Sequence, residues 1–257
     1  MDEERISRTK AREHVSPAPL FVLVDPQMGE NIGAAARAML NFGVSGLRLV
    51  NPRDGWPNPK AAAMASGAGL VIDDARVFSK LDEALADCCY VIAATARRRE
   101  LPLPVFDPAR AAREMRGRVS AGQTCAVVFG GERNGLSSDD VARADAILSV
   151  PVNPAFASLN LAQAALITAY EWAQSAEREV SHKPLAAETP ASREALAQFF
   201  DHLETDLDAA DYFFPAEKRP SMVRNLRAAF SRAGFTEGEI RTLHGVIKAL
   251  AKSGNQS

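Results

Sequence analysis

The chain has 257 residues, of which 47% are apolar, enough to form one sizeable hydrophobic core and to carry an additional segment. Its net charge of −2 excludes a strongly basic protein, so a nucleic-acid-binding surface would depend on local clusters of arginine and lysine. Three cysteines are too few for a disulfide framework, and their spacing does not match a zinc site. No signal peptide or long apolar span is apparent, so we expect a cytoplasmic location without membrane attachment.

Short apolar runs alternate with helix-period segments, which is typical of a mostly parallel sheet covered by helices. The predicted fold class is therefore α/β. The predicted strands cover residues 20–24, 47–50, 76–78, 90–95, 125–129 and 147–150. The predicted helices cover residues 32–41, 81–87, 107–115 and 161–175. Gly43 is suited to the turn that ends the first helix, and Pro108 to the first helical position of the third.

The composition changes after the last of these helices. Residues 181–190 contain two prolines and several polar residues, which is typical of a linker, and two or three amphipathic helices are predicted over residues 192–252. The sequence thus predicts four parts, namely a polar N-terminal tail (1–19), an α/β domain (20–176), a linker (177–191) and a small helical C-terminal extension (192–257).

The most informative segment is Phe129-Gly130-Gly131-Glu132-Arg133-Asn134-Gly135-Leu136, which comes at the end of an apolar strand. Paired glycines let a main chain approach a ligand closely, and a carboxylate follows them directly. A further strand with Ser149-Val150-Pro151 comes next, and then Ser158-Leu159-Asn160. We therefore expect a ligand pocket built mostly of main-chain atoms.

Residues 25–33, which follow the first strand, do not match the common nucleotide-binding turns. They lack the closely spaced glycines of a dinucleotide-binding fingerprint, and no Gly-Lys-Ser/Thr follows that would form a phosphate-binding loop. The four histidines have no cysteine or paired carboxylate at ligand spacing, and Ser158 lacks the sequence context of an esterase nucleophile. A metal-free transferase fits this pattern better than these alternatives.

Together with Asn31-Ile32-Gly33-Ala34-Ala35-Ala36-Arg37, these segments resemble the three motifs of SPOUT-class RNA 2'-O-ribose methyltransferases of the TrmH-like group. The resemblance runs from about residue 20 to residue 172. It implies a trefoil knot at the C-terminal end of the α/β domain, and S-adenosylmethionine as the methyl donor without a metal. The implied donor-binding residues lie in three loops and are Ala94, Thr95, Ala96, Gly130, Val150, Ala157, Ser158 and Leu159.

The resemblance also implies a set of catalytic residues, which are Arg37, Asn31, Glu132, Ser158 and Asn160. Arg37 matches the arginine assigned to activation of the ribose 2'-hydroxyl. A guanidinium has a pKa above about 12, so removal of a proton by Arg37 would be costly. A less costly role is that Arg37 stabilises the developing alkoxide and binds the adjacent phosphate, while that phosphate or water accepts the proton. The sequence leaves both roles open.

Each of the other candidates also has a purely structural interpretation. Asn31 is suited to the N-cap of the first helix, and Asn160, with Gln163 three residues later, has the spacing of a capping box. Glu132 can bind the amides of its own turn, bind Arg37, or be an ordinary surface carboxylate. Capping and catalytic roles are compatible for the two asparagines.

The C-terminal region resembles the helical extension of the bacterial TrmJ group, the tRNA (cytidine/uridine-32-2'-O)-methyltransferases, over residues 197–204, 223–233 and 240–245. This resemblance implies tRNA as the partner and modification of C or U at position 32. It also implies a homodimer with the active site near the subunit interface, so that Arg37 can serve a donor bound by the other subunit. The apolar helix at 161–172 suits either that interface or the chain's own core.

Two departures from the group are visible. Residues 94–99, Ala-Thr-Ala-Arg-Arg-Arg, replace a more usual serine-containing loop, and residues 54–59 form a longer segment than we expect. Two alternatives to the tRNA assignment stay open. One is a ribosomal RNA 2'-O-methyltransferase of a sister group, and the other is a non-catalytic RNA-binding SPOUT protein.

Basic residues are concentrated in two stretches. Seven arginines lie between residues 97 and 118, and eight basic residues lie between residues 218 and 252. The run Arg97, Arg98 and Arg99 follows a strand end beside the implied donor loop, where three adjacent cations can bind RNA phosphates. The alternative for both stretches is an ordinary solvated face.

Overall fold

The computed structural model describes residues 17–96, 101–177 and 189–254. These residues include a seven-stranded sheet made of β1 (Leu20–Val24), β2 (Leu47–Val50), β3 (Arg76–Phe78), β4 (Tyr90–Ala94), β5 (Val105–Phe106), β6 (Cys125–Gly130) and β7 (Ala146–Leu148). The strand order is β3-β2-β1-β6-β4-β7-β5, and every neighbouring pair is parallel. The predicted α/β class is confirmed.

The helices flank and follow this sheet. They are α1 (Gly29–Asn41), α2 (Pro59–Ala65), α3 (Gly69–Asp73), α4 (Leu81–Leu85), α5 (Pro108–Ser120), α6 (Ser138–Ala142), α7 (Leu161–Gln174), α8 (Arg193–Ala209), α9 (Arg219–Ser231) and α10 (Glu237–Gly254). Short 3-10 turns occur at Pro154–Phe156, Ser175–Glu177 and Ala216–Lys218.

Most predicted elements are confirmed, with errors at their ends. Strands β1, β2 and β3 have the predicted bounds, whereas the last strand was placed too late, because β7 pairs with β4 and β5 only as far as Leu148. Helix α1 begins three residues earlier than predicted, and α5 continues to Ser120. Gly43 has a φ of 75° after the end of α1, as predicted. The elements missed are short: β5, α2, α3 and α6.

The sheet separates two apolar clusters because side chains alternate between its faces along each strand. On one face, Phe21 and Leu23 of β1 pack with α1, α2, α5 and α7. On the other face, Val22 and Val24 pack with α4 and α6, and Ala228 of α9 joins this second cluster. Helix α1, which carries the first motif, and helix α7, which directly follows the third, therefore lie on the same face of the sheet.

The three C-terminal helices have an apolar cluster of their own, centred on Phe199, and they also contact the α/β part. Arg193 forms an ion pair with Asp145, and its main-chain N–H donates to Cys88 O at 3.0 Å. Within the described ranges, no helix is long and apolar enough to cross a membrane. The division into four parts and the trefoil knot stay predictions.

Candidate active site

A cavity of about 360 Å³ lies beyond the carboxyl ends of β4, β6 and β7. Parallel sheets bind ligands beyond this edge, because the loops that leave the strands enclose a crevice there. The volume is at the lower end of the range of about 300–1,000 Å³ that is common for small-molecule sites. The position and size therefore suit a compact ligand held by loops.

All eight predicted donor-binding residues line this cavity, as do Glu132 and Ser158 from the predicted catalytic set. The cavity has further lining residues that were not predicted, namely Phe129, Gly131, Arg133, Asn134, Gly135, Leu136, Leu148, Leu161 and Ala164. Those between 129 and 136 belong to the motif segment, so the motif itself was the signal. Leu148, Leu161 and Ala164 become visible only when β7 and the start of α7 are placed in the fold.

The two motif glycines are required first by close packing of main chain on main chain. A Cβ on Gly130 would lie 2.2 Å from the carbonyl carbon of Gly135, and one on Gly131 would lie 2.2 Å from the carbonyl oxygen of Asp25. The turn closes on itself, since Gly135 N donates to Gly131 O at 2.9 Å. The Cβ positions of both glycines therefore face the protein's own backbone, and both residues also line the cavity, so close approach to a ligand stays a prediction.

Glu132 connects this turn to the start of α1. Its carboxylate accepts hydrogen bonds from Gln27 N at 2.8 Å, from Met28 N at 3.3 Å and from Asn31 Nδ2 at 2.7 Å. A carboxylate near a helix N-terminus is further stabilised by the helix dipole. Of the partners considered for Glu132, neither Arg37 nor the amides of its own turn is its partner among the described contacts.

Asn31 extends the connection to the third motif, because its Oδ1 accepts a 3.0 Å hydrogen bond from Asn160 Nδ2. The N-cap of α1 is Met28, and Asn31 is the third residue of the helix, so the prediction that Asn31 caps this helix is wrong. Its side chain instead lies between Glu132 and Asn160. The three motifs thus meet through two hydrogen bonds between side chains, a relation that we call the Glu132-Asn31-Asn160 chain.

Asn160 caps α7 as predicted. Its Oδ1 accepts from Ala162 N at 2.9 Å, and Gln163 Oε1 accepts from Asn160 N at 3.3 Å, which completes a capping box. The side-chain oxygen of Asn160 caps the helix, and its side-chain nitrogen donates to Asn31. Asn160 can therefore cap α7 and belong to the site at the same time. The cap therefore fixes the orientation of the amide that reaches Asn31.

Arg37 stands apart from these residues. It is exposed on α1, it does not line the cavity, and it makes no hydrogen bond or ion pair with any residue that the structure describes. Six residues separate it from Asn31, which on a helix corresponds to about 240° of rotation. Within a single chain, the fold therefore does not bring Arg37 to the Glu132-Asn31-Asn160 chain.

Several arginines of the two basic stretches are engaged within the protein. Arg116 lies over the Trp172 ring and Arg118 over the Tyr90 ring. In the C-terminal helices, Arg227 Nε donates to Glu204 Oε1 at 2.6 Å. Arg97, Arg98 and Arg99 lie outside the described residues. Among the residues that are described, no group of three or more His, Cys, Asp or Glu is placed to hold a metal ion.

Comparison with known proteins first gives the class. Residues 18–170 match the SpoU rRNA Methylase family, so the part of the chain that contains the sheet and the cavity is a SpoU methylase. Residues 194–257 match the C-terminal domain of the tRNA methyltransferase TrmJ. Together the two matches include all three motifs and the C-terminal helices.

Individual relatives then give the particular family. The chain is 37% identical over 241 residues to the tRNA (cytidine/uridine-2'-O-)-methyltransferase TrmJ of Klebsiella pneumoniae, which covers 90% of this chain and 95% of that protein. It is 36% identical over 239 residues to the TrmJ of Escherichia coli K12, covering 90% and 94%. The crystal structure of TrmJ from Z. mobilis ZM4 superposes with a TM-score of 0.82 at 48% identity, covering 91% and 99%. The chain belongs to the TrmJ family, and the resemblance found in the motifs is confirmed.

Proposed function

We propose that this protein transfers a methyl group from S-adenosylmethionine to the ribose 2'-hydroxyl of a cytidine or uridine in tRNA, at position 32 of the anticodon loop. The observation that carries the proposal is the Glu132-Asn31-Asn160 chain, which joins the three motifs beside a loop-lined cavity. Relatives that match along nine-tenths of this chain are named tRNA (cytidine/uridine-2'-O-)-methyltransferases. A cytoplasmic location accompanies a tRNA substrate.

The cavity fits the donor in both its size and its lining. Val150 and Leu159, which are half-buried, offer apolar surface to an adenine ring, and the loops at 94–96 and 130–132 offer main-chain donors and acceptors to polar groups. S-adenosylmethionine, when bound, supplies a methyl group that its sulfonium has already activated. The protein's own task is therefore to bind, align and exclude water rather than to generate a reactive species.

Arg37 is the residue that we assign to the developing alkoxide. It is exposed and outside the cavity of its own chain, so we propose that it acts at the cavity of a second copy in a homodimer. Its guanidinium stabilises negative charge on the 2'-oxygen and binds the neighbouring phosphate, while that phosphate or water takes the proton. Asn31, Glu132, Ser158 and Asn160 hold the loops between which the ribose enters.

An apolar patch on the face of the sheet that α1 covers supports pairing of two chains. Leu166 and Tyr170 of α7 are exposed, and Phe42, directly after α1, contacts the Tyr170 ring edge-on at 5.7 Å between centroids. The rest of the apolar side of α7, including Trp172, is buried in the chain's own core. We propose that this patch, made of Phe42, Leu166 and Tyr170, lies in the dimer interface.

The run Arg97-Arg98-Arg99 comes directly after the loop 94–96 that lines the cavity. We assign it to phosphates near the modified nucleotide. Changing the three residues together to alanine is expected to reduce the slope of log affinity against log salt by up to about 0.9 for each lost phosphate contact. An unchanged slope assigns this run to a solvated loop.

The direct test is a methylation assay with unmodified tRNA, followed by mapping of the modified ribose. Calorimetry in the presence of a chelator should show binding of S-adenosylmethionine, and transfer should occur at position 32. Methylation of ribosomal RNA but not tRNA supports the sister-group alternative. Binding of donor and RNA without transfer supports the non-catalytic alternative, and stoichiometric uptake of NAD or zinc in place of the donor contradicts the proposal.

A further inference from the structure

Phe156 is 77% exposed, and only Phe214 is more exposed among the large apolar side chains described. Its backbone is nevertheless held in place. Phe156 ends the 3-10 turn Pro154–Phe156, where its N–H donates to Asn153 O at 2.9 Å and Asn153 Oδ1 accepts from Ala155 N at 3.0 Å. The turn thus presents an aromatic ring to solvent from a defined backbone.

The ring of Phe156 lies next to the cavity in the chain but does not line it. Ala157 and Ser158, the next two residues, line the cavity, whereas Phe156 does not. Two residues of chain span at most about 7 Å, so Phe156 lies at the rim of the cavity and outside it. The side chain of a rim residue contacts what protrudes from the cavity rather than what fills it.

The nucleotide that is methylated protrudes in this way. Its 2'-oxygen must approach the donor in the cavity, and the base is attached to the ribose carbon next to the one that bears this oxygen. The base therefore lies immediately outside the cavity whenever the hydroxyl is aligned. A planar apolar ring at the rim is suited to stack on it.

We propose that Phe156 stacks on the base of the nucleotide that is methylated, and so positions its 2'-hydroxyl; this inference rests on the proposed function. Stacking uses the face of a base and does not read its hydrogen-bonding edge. A single aromatic side chain therefore serves cytidine and uridine equally. Phe156 is a substrate-positioning residue in this scheme, distinct from the residues that hold the donor.

A second copy of the chain is the competing occupant. The neighbours of Phe156 do not favour it, because Asn153, Pro154, Ala155 and Ser158 are exposed residues that are polar or small. Exposed apolar side chains do lie together in the patch of Phe42, Leu166 and Tyr170, which is better suited to an interface. An aromatic ring among small and polar residues suits one planar ligand better than the apolar centre of a protein interface.

The test is a double-mutant cycle between the side chain and the base. Wild type and Phe156→Ala are compared on unmodified tRNA with the normal pyrimidine, and on the same tRNA with an abasic ribose at the target position. Single-turnover rates are measured at saturating donor and limiting tRNA. We expect Phe156→Ala to lower the rate on the pyrimidine substrate by about tenfold or more. On the abasic substrate the two enzymes should have equal rates, and Phe156→Tyr should restore the rate on the pyrimidine.

Phe214→Ala is the matched control, since Phe214 is 83% exposed, lies between α8 and α9 in the chain and does not line the cavity. Its effect should be the same on both substrates. Donor affinity by calorimetry and dimerisation by sedimentation should be unchanged in Phe156→Ala. The inference is overturned if Phe156→Ala slows both substrates equally, weakens donor binding, or dissociates the dimer, and the last result would identify Phe156 as a subunit contact. If the wild-type protein does not methylate tRNA, the proposed function fails together with this inference. If the wild-type protein is active but Phe156→Ala has the same effect on the pyrimidine and the abasic substrate, this inference alone fails.

Discussion

Asn31 and Glu132 lie 101 positions apart in the sequence, yet Asn31 Nδ2 donates a 2.7 Å hydrogen bond to Glu132 Oε1. The same carboxylate accepts the main-chain N–H of Met28, the N-cap of α1, whose own side chain makes no cap. In a capping box this N–H is bound by an acidic residue of the helix itself. Here a turn on another strand supplies the carboxylate, so the start of α1 and the wall of the cavity are fixed to each other.

Glu132→Gln is expected to lower the free energy of unfolding by about 1–2 kcal/mol, because one acceptor oxygen becomes an NH2 group that faces N–H donors. Methyl transfer should fall as well, since α1 loses its connection to the cavity turn. Urea unfolding and single-turnover methylation measure the two effects. The control is Glu83→Gln, because among the described contacts its exposed carboxylate accepts only from Ser79 Oγ, and its stability should stay near that of wild type. Equal stabilities for the two variants would show that the contacts of Glu132 contribute nothing.

Gly130→Ala is expected to impair donor binding, since its Cβ would lie 2.2 Å from backbone atoms of Gly135 and Leu136. Backbone cannot yield as a flexible side chain does, so the turn that walls the cavity must move. Calorimetry should show donor affinity reduced by tenfold or more, on the order of 1.4 kcal/mol. The control is Gly117→Ala inside α5, where a Cβ meets nothing within 4 Å, and there alanine should stabilise by about 0.5–1 kcal/mol. Wild-type donor affinity in Gly130→Ala would contradict the packing argument.

The strands and the cavity loops could be predicted because their signals are local. Apolar runs such as the one in β6 are interrupted by glycine and polar residues at the edge of the sheet, and the motif residues follow those runs directly. The short element β5 has two residues and carries no periodicity of its own. Helix α2 does have a local signal, since Asn58 caps it and Pro59 is its first residue, but its seven residues are too few to show a clear helical period.

The contacts between motifs could not be predicted in the same way. That Asn31 bonds Glu132 and Asn160 follows from the packing of α1 against the turn after β6 and the start of α7, which no local pattern contains. Local reasoning assigned Asn31 to the N-cap because asparagine is favoured there. The observed helix begins earlier because a distant carboxylate binds the N–H groups that precede it. Tertiary contact outweighed local preference at this position.

Acid sensitivity is expected at the ion pair between Arg48 and Asp87. Arg48 is only 5% exposed, and its guanidinium donates to both oxygens of Asp87, at 2.5 and 2.8 Å. These hydrogen bonds hold the pKa of Asp87 below its usual range. Because the folded pKa lies below the unfolded value of about 3.9, the stabilisation is present above that pH and is lost as the pH falls through the folded pKa.

The Asp87 side chain itself is 57% exposed, so solvent screens the pair, and the loss on substitution comes mainly from leaving the buried Arg48 guanidinium without its counter-ion. Asp87→Asn should therefore lower the free energy of unfolding at pH 7 by about 1 kcal/mol, and the difference from wild type should shrink as the pH falls below 4. Urea unfolding at a series of pH values measures this. The control is Asp208→Asn, because Asp208 pairs with Arg219 in a similar two-oxygen geometry but both side chains are exposed. An exposed pair contributes about 0–1 kcal/mol, so its variant should change little. A constant difference between wild type and Asp87→Asn across the pH range would contradict the assignment.

The pair Arg193 and Asp145 joins the C-terminal helices to the α/β part, with side chains that are 10% and 11% exposed. Arg193→Met should destabilise the protein by about 3 kcal/mol, because it leaves a buried carboxylate without its counter-ion. The double variant Arg193→Met with Asp145→Asn should recover part of this loss in urea unfolding. Removal of the chain after Glu188 creates the same unpaired Asp145. The truncated protein should therefore also carry Asp145→Asn, and a loss of tRNA binding is informative only if donor binding survives. If Arg193→Met alone is as stable as wild type, the stabilising role of the pair is contradicted.

The role of Arg37 in a second subunit leads to the sharpest prediction. Arg37→Ala should leave donor affinity within a few-fold and lower the single-turnover rate by two or more orders of magnitude, on the order of 3 kcal/mol of transition-state stabilisation. Lysine should rescue poorly, because it lacks the planar fork of donors that binds phosphate and alkoxide together. A near-wild-type rate in Arg37→Ala would remove Arg37 from the mechanism and leave Glu132, Ser158 and Asn160 as candidates.

Mixed dimers then distinguish action within one chain from action across the interface. Arg37→Ala chains keep the cavity, and Gly130→Ala chains keep Arg37, so a mixed dimer has one complete site only if Arg37 reaches the partner's cavity. Equal amounts of the two proteins are mixed at a donor concentration too low to fill the Gly130→Ala cavity, with exchange of subunits confirmed by sedimentation of a size-tagged form. Mixing should then restore about a quarter of the wild-type sites. If Arg37 acts within its own chain, both sites of the mixed dimer carry one defect and no activity returns. That result would overturn the assignment across the interface while leaving the catalytic role of Arg37 intact.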